Sequence, residues 1–158
     1  MPKHLWSPWR MEYIKRPKGD ITGCILCNAI DKKNDLLIHQ TDALFVIMNL
    51  YPYNNGHVMV CPKEHIADFD EISNNTQIQI LSTISKITKF MKSNMKAEGF
   101  NIGANIGKAA GAGIHNHFHM HIVPRWSGDT NFMPAIGNTK VQVSTLQETC
   151  KFIKKAFK

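Results

Sequence analysis

The sequence lacks long apolar segments, and this absence excludes several classes of protein. No apolar run approaches the roughly 20 residues that a helix needs to cross a bilayer, so no membrane span is predicted. The first residues also lack the uninterrupted apolar stretch of a secretory signal, and we expect a cytoplasmic location. Repeats, low-complexity segments and dividing linkers are absent as well, so the 158 residues are predicted to form one domain.

Acidic residues are few in comparison with basic ones. The chain has 12 Asp and Glu against 19 Lys and Arg, a formal net charge of +7, and its field should attract anions. It lacks a zinc-finger repeat, an aromatic RNA-binding signature and a long basic arm. The charge supports an anionic small molecule such as a nucleotide polyphosphate at least as well as a nucleic acid. We expect the small molecule as the partner, and no membrane.

Only four cysteines are present: Cys24, Cys27, Cys61 and Cys150. In a cytoplasmic protein structural disulfides are not expected. Cys24 and Cys27 have the spacing of a metal-binding pair, although two reduced cysteines in a packed turn would look the same. The other two cysteines are predicted to be small core residues.

The remaining pattern predicts an α+β protein. Compact or alternating apolar runs predict strands, the first two of them an antiparallel pair, and apolar spacings of three and four predict helices. The predicted strands are 43–50, 57–62, 100–106 and 140–143; the predicted helices are 64–72, 75–97 and a C-terminal helix capped by Ser144. Residues 1–20, rich in Trp and Pro, are predicted to form an arm that packs on the domain or on a partner.

The most informative segment carries a histidine at every second position: His115, His117, His119 and His121. This alternation predicts a strand over 115–123, with the imidazoles on one face and the apolar residues on the other. A solvated histidine-rich edge strand would explain the pattern too. However, a row of bases and nucleophiles in fixed register favours chemistry.

A glycine-rich turn, residues 107–113, leads directly into the histidines. Glycines allow backbone N–H groups to approach an anion closely. The turn fits neither the dinucleotide-binding fingerprint nor the P-loop, because both require a helix where a strand is predicted here. We interpret the turn as a phosphate cradle beside a nucleophile.

Residues 117–123 resemble the histidine triad family, whose motif alternates three histidines with apolar residues. Asn49, eight residues before His57, and the Gly-His-apolar segment at 56–60 agree with that family. The segments Leu-Trp-Ser-Pro-Trp-Arg at 5–10 and Pro-Arg-Trp-Ser-Gly-Asp-Thr-Asn-Phe at 124–132 resemble a bacterial branch related to diadenosine tetraphosphate phosphorylases and hydrolases. The resemblance implies a HIT-like fold with an antiparallel sheet of about five strands, one long and one C-terminal helix, and a homodimer.

The resemblance also implies roles for the histidines. His119 would attack a nucleoside α-phosphate and form a covalent nucleotidyl-histidine. The backbone carbonyl of His117 would fix the tautomer of His119, and His121 would act as a proton donor. His57 would flank the α-phosphate, although it could be an ordinary strand histidine, and His115 is expected at the rim.

Three further residues are implied to bind the nucleotide. N–H groups around Gly113 would neutralise developing charge, Asn49 would face the ribose, and Asn105 would contact phosphate or the leaving group. For both asparagines a turn or capping role is an open alternative.

The resemblance further implies a structural zinc site, in which His65 and His117 complete the pair Cys24 and Cys27. The resemblance implies an enzyme that cleaves diadenosine polyphosphates or related nucleotides, by transfer to water, phosphate or another acceptor. A nucleotide-binding or partner-docking module with little turnover is the alternative, and a histidine-rich metal-storage protein is a third.

Overall fold

The structure is a computed structural model that describes residues 23–31, 34–137 and 141–158. Its elements are α1 Ile25–Asp31, β1 Leu37–Gln40, β2 Leu44–Met48, β3 Val58–Pro62, α2 Asn74–Met95, β4 Gly99–Gly103, β5 Met120–Arg125, α3 Met133–Gly137 and α4 Leu146–Ile153. The predicted α+β class with a five-stranded antiparallel sheet is confirmed. The predicted N-terminal arm, residues 1–20, lies outside the described residues.

The sheet has the strand order β1-β2-β3-β5-β4, and every neighbouring pair is antiparallel. Every residue of β2 and β3 is buried, which explains why these strands are continuous apolar runs. They pair as the predicted hairpin, with Met48 opposite Val58. The connection between them therefore ends at His57, directly before β3.

Helix α2 covers the sheet and agrees with the predicted helix to within two residues at each end. Ser73 caps its first turn by accepting a hydrogen bond from the N–H of Thr76, and the left-handed Lys96, with a φ of 55°, ends it. Its buried residues face the sheet: Ile80, Ile84, Ile87 and Met91. In the described part of the chain, no helix combines the length and apolarity that a membrane span requires.

Three local predictions were wrong, and two elements were not predicted. The predicted helix over 64–72 is a loop with one 3-10 turn, Phe69–Glu71, and residues 141–143 of the predicted last strand form no strand, residue 140 being outside the described residues. Thr145, rather than Ser144, caps α4, because its side chain and that of Glu148 form a reciprocal capping box. The fifth strand is instead β1, and helix α1 was also not predicted.

The predicted histidine strand over 115–123 begins later than expected. Strand β5 starts at Met120, so only His121 of the four histidines lies in the sheet. The preceding residues are held by single contacts instead, as when the N–H of Phe118 donates to the carbonyl of Ile66 at 2.6 Å. The predicted apolar face is still present in part, because Phe118 and Ile122 are both buried in the core.

Candidate active site and metal centre

The sheet brings His57 and His121 together. In the antiparallel register of β3 and β5, Val58 lies opposite Ile122 and Met59 lies opposite His121. The Nε2 atom of His57 is 2.9 Å from Nδ1 of His121. The ring of His119 stands edge-on to that of His121, with 4.9 Å between centroids. Three of the predicted site residues therefore form one cluster.

His119 has a defined tautomer. Its Nδ1 atom is 2.9 Å from the backbone carbonyl oxygen of His117, and because a carbonyl only accepts, Nδ1 must carry the proton. Nε2 then carries the lone pair of the neutral ring. Burial lowers the pKa of His119 from its usual value, which keeps the ring neutral near pH 7. A neutral imidazole with Nε2 deprotonated can act as a nucleophile.

His57 is fully buried beneath a turn of the β2–β3 connection. The backbone N–H of Tyr53 donates to its Nδ1 atom at 3.0 Å. Burial, followed by the nearby His121 and His119, lowers the pKa of His57 to about 3. The amide nitrogen of Asn49 is 3.4 Å from both ring nitrogens, a position that places it over the face of the ring. His57 is therefore a neutral residue of this cluster.

The predicted nucleotide-binding residues lie in turns and loops around the cluster. Asn49 has a turn role, since its side-chain oxygen accepts the N–H of Tyr51 at 2.9 Å. Asn105 is half-buried in the segment after β4, and Gly113 is exposed just past the 3-10 turn Lys108–Ala110. The roles of these three residues in binding remain predictions. His115 is half-buried outside β5.

A second cluster contains the four predicted zinc ligands. One ligand atom from each of Cys24, Cys27, His65 and His117 lies within 4.8 Å of all the others. The Nδ1 atom of His117 is 3.3 Å from Sγ of Cys24 and 3.4 Å from Sγ of Cys27. Sulfur and nitrogen ligands at about 2.3 and 2.0 Å from one tetrahedral ion would lie roughly 3.5 Å apart, so the cluster fits zinc.

The tautomer of His117 also suits a metal. Its Nε2 atom is 2.9 Å from the carbonyl oxygen of Pro62, so Nε2 carries the proton and Nδ1 faces the two thiols with its lone pair. A metal-bound histidine normally donates its other ring N–H in this way. Burial lowers the pKa of His117 and raises that of Cys27, to about 11. A cation would replace these thiol protons when it binds.

Sequence reasoning missed three residues next to the active-site cluster. Tyr53 and Asn54 belong to a segment that reads only as a turn, yet the Tyr53 ring lies 4.6 Å from that of His57, centroid to centroid. Asp129 belongs to the segment at 124–132, for which no role was predicted. Its carboxylate accepts a hydrogen bond from Asn54 at 2.8 Å. The only hint in the sequence was that the segment at 124–132 resembles related proteins although no role had been predicted for it.

Comparisons with known proteins agree with this geometry. A family model described as HIT domain matches residues 31–128. An AP-4-A phosphorylase from Mycobacterium tuberculosis is 31% identical over 96% of this chain and 82% of its own length. The adenosine 5'-monophosphoramidase hnt1 of Schizosaccharomyces pombe is 30% identical over 65% of this chain and 74% of its own. A zinc-bound histidine triad family protein from Mycobacterium smegmatis shares the fold, with a TM-score of 0.69 and 24% identity over 85% of this chain and 92% of that one.

Proposed function

The chain belongs to the HIT domain family, and we propose that it is an enzyme that cleaves nucleotides at the α-phosphate. Dinucleoside polyphosphates such as diadenosine tetraphosphate are the favoured substrates, since the Mycobacterium tuberculosis relative carries the name AP-4-A phosphorylase. The similarity to a monophosphoramidase supports the same class of bond, because both activities break a link to the phosphate of AMP. The net charge of +7 suits an anionic substrate.

One observation carries the proposal: the hydrogen bond from Nδ1 of His119 to the carbonyl of His117, which leaves Nε2 as the nucleophile. In the first step Nε2 bonds to the α-phosphorus while the bond from phosphorus to the leaving group breaks. His121 donates a proton to that group. Water or phosphate then attacks, the P–N bond breaks, and the proton of the acceptor returns to His121.

The experiment separates the two possible acceptors and tests the nucleophile. The purified chain is incubated with diadenosine tetraphosphate, with and without phosphate, and the nucleotides are separated. AMP with ATP indicates hydrolysis, whereas ADP with ATP indicates phosphorolysis. Rapidly quenched digests kept at alkaline pH, where the P–N bond survives, are searched for an AMP adduct on His119. AMP binding without any turnover would refute the enzyme and support a binding module.

A matched histidine variant controls for handling of the protein. His39 lies on the edge strand β1, where its ring stacks on Phe157 at 4.2 Å between centroids. His39→Ala should form the adduct as the wild type does, whereas His119→Ala should not. An adduct that persists in His119→Ala would contradict the assignment of the nucleophile.

We further propose that Cys24, Cys27, His65 and His117 hold one structural zinc ion. The support is the convergence of four ligand atoms within 4.8 Å and a zinc-bound structural relative. When bound, zinc would cross-link the start of α1 to the segment before β5. Untagged protein should contain about one zinc per chain, and Cys27→Ser should lose it. Cys150→Ala, at a buried cysteine outside the cluster, should retain it, and equal zinc content in both variants would refute the site.

A homodimer is the assembly that we propose. Strand β4 is at an edge of the sheet, and α2 exposes Ile78 and Leu81. A second copy that pairs with β4 would extend the sheet, and one that packs on α2 would cover Ile78 and Leu81. Light scattering should give twice the mass of 17.9 kDa, and a monomer at micromolar concentration would contradict the proposal.

A further inference from the structure

A turn at residues 51–56 determines where two active-site imidazoles carry their protons. The N–H of Tyr53 can only donate, so Nδ1 of His57 accepts and the proton of that neutral ring is on Nε2. Nε2 of His57 then donates to Nδ1 of His121, 2.9 Å away. Neutral His121 must therefore carry its own proton on Nε2. One backbone amide sets the tautomers of both rings.

A buried asparagine holds this turn in place. Asn54, adjacent to Tyr53, is 5% exposed. Its side-chain nitrogen donates to the carbonyl oxygen of Pro124 at 3.0 Å and to Oδ2 of Asp129 at 2.8 Å. The turn also requires glycine at position 56, where φ is +80° and a Cβ would lie 3.1 Å from Cε of Met95. The conformation of the turn thus depends on the end of β5 and on the loop that follows it.

The carboxylate of Asp129 is fixed in turn by residues 125 and 126, at the end of β5 and the start of the loop that follows. Arg125 donates from Nε to Oδ2 at 2.6 Å and from Nη2 to Oδ1 at 3.0 Å. The N–H of Trp126 adds a bond to Oδ2 at 3.2 Å. The hydrogen bond from the Arg125 guanidinium holds the pKa of Asp129 well below its usual range. The acceptor for Asn54 is therefore a permanent carboxylate near neutral pH.

We propose that Asn54 and Asp129 are positioning residues that keep the proton of His121 on Nε2. The effect is transmitted by hydrogen bonds: Asp129 holds Asn54, the turn around Asn54 positions the N–H of Tyr53, and that N–H orients His57 and, through it, His121. This inference rests on the proposed function, in which His121 donates a proton to the leaving group. It gives the segment at 124–132 a role that its sequence pattern alone did not reveal.

The chemical consequence follows from the alternative tautomer. If the turn moves, Nδ1 of His57 loses its donor and can carry the proton itself. Nε2 of His57 would then accept, Nδ1 of His121 would donate to it, and Nε2 of neutral His121 would have no proton to give. A leaving amine must be protonated to depart, whereas a nitrophenolate departs without a proton. The loss should therefore depend on the leaving group.

The test measures tautomers and turnover separately. In wild-type protein, long-range proton–nitrogen NMR spectra should show His57 and His121 protonated on Nε2 and His119 on Nδ1. In Asn54→Ala, the signals of His57 and His121 should move toward a tautomer mixture while His119 is unchanged. Cleavage of adenosine 5'-phosphoramidate should fall at least about tenfold in kcat with little change in KM, because general acid catalysis contributes ~10²- to 10⁴-fold. Cleavage of the 4-nitrophenyl ester of AMP should stay within about threefold.

A second variant and a control keep the test decisive. Asp129→Asn removes the charge at a half-buried position and should shift the same NMR signals in the same direction, even if Asn54→Ala does not fold. Ser127→Ala is the control, since Ser127 lies in the same loop but bonds to Glu98. It should change neither the tautomers nor the substrate ratio.

Two results would overturn the inference: unchanged tautomers in both folded variants, or equal losses with both substrates. A wild type without turnover would instead refute the proposed function. In that case the NMR comparison would still decide whether the turn sets the tautomers.

Discussion

His117 and His119 are two residues apart, both are buried, and they carry their protons on opposite ring nitrogens. His117 donates from Nε2 to the carbonyl of Pro62, so its Nδ1 faces the cysteines. His119 donates from Nδ1 to the carbonyl of His117, so its Nε2 keeps the lone pair. In each case one backbone carbonyl determines which nitrogen is available. The same residue type would therefore supply, in the proposed function, a metal ligand at position 117 and a nucleophile at position 119.

The two positions are also physically connected. The residue whose ring faces the thiols is the one whose carbonyl orients His119. A metal bound to His117 would therefore restrain the backbone that positions the nucleophile, although it would not touch the substrate. Variants that act on one position alone can test how far the two roles are separate.

The largest contrast should be between the effects of replacing His119 and of replacing His117 by alanine. His119→Ala should reduce kcat/KM by at least ~10³-fold, the scale of losing a nucleophile, with a smaller fall in melting temperature than His117→Ala. His117→Ala should lose the metal and about 3 kcal/mol or more of unfolding free energy, because loss of a metal ligand is among the most destabilising changes. Steady-state kinetics and thermal melts on both variants measure the contrast. Similar losses of stability in both would mean that the two histidines share one structural role.

Metal removal should have the next largest effect. Chelation of the zinc-loaded protein should lower the melting temperature and reduce turnover about 10- to 100-fold, the range seen when the support of a site is lost. The proton positions of His57 and His121 should not change, since a separate turn holds them. Cys27→Ser should behave like the chelated protein and should not respond to added chelator. Full activity of the metal-free protein would show that the carbonyl of His117 is held without the ion.

The sequence predicted those elements of the fold that have a clear local pattern of apolar residues. The continuous apolar runs identified β2 and β3, and the spacing of apolar residues identified α2. The alternation of histidines predicted a strand too early, because His117 and Phe118 are held by contacts with distant segments and not by sheet pairing. The carbonyl of Ile66 that bonds the N–H of Phe118 is an example. The spacing of residues along the chain gives no information about such contacts.

In the candidate site, too, the local features were predicted and the long-range contacts were not. The family motif identified His119 and its carbonyl partner, since both lie within three residues of each other. The contact between Asn54 and Asp129 joins residues 75 positions apart, and turn-forming residues alone do not indicate what they hold. Strand β1 was missed for a related reason: it has four residues, too few for a clear pattern. The contact between Asn54 and Asp129 was therefore missed because it is long-range, and β1 because it is short.

Acid should destabilise the protein through His57, which belongs to the active-site cluster. The folded pKa of His57 is about 3, below the value of about 6.5 in an unfolded chain. The unfolded state therefore binds more protons between these values, and stability that is complete above pH 6.5 falls as the pH drops toward 3. Burial causes most of the shift, and the neighbouring His121 and His119 add to it.

Denaturant melts at pH 7 and pH 5 measure this effect. His57→Asn retains an acceptor for the N–H of Tyr53 and should show a smaller loss of unfolding free energy between the two pH values than the wild type. Some loss should remain, because burial also lowers the pKa of His117 and of His119. An identical pH dependence in His57→Asn and wild type would show that His57 is not the group that resists protonation.

The smallest effect should come from His115, which has the same spacing as the other histidines and lies outside both clusters. It is half-buried before β5, and the carbonyls that fix the rings of His117 and His119 belong to Pro62 and His117. His115→Ala should therefore change turnover less than about twofold and unfolding free energy by less than about 0.5 kcal/mol, the usual range for a surface substitution. Kinetics, zinc content and a thermal melt on this one variant suffice. A loss of zinc would place His115 in the metal cluster, and a loss of turnover would place it at the nucleophile. With neither loss, position along the alternating pattern does not decide function, and the carbonyl that holds each ring does.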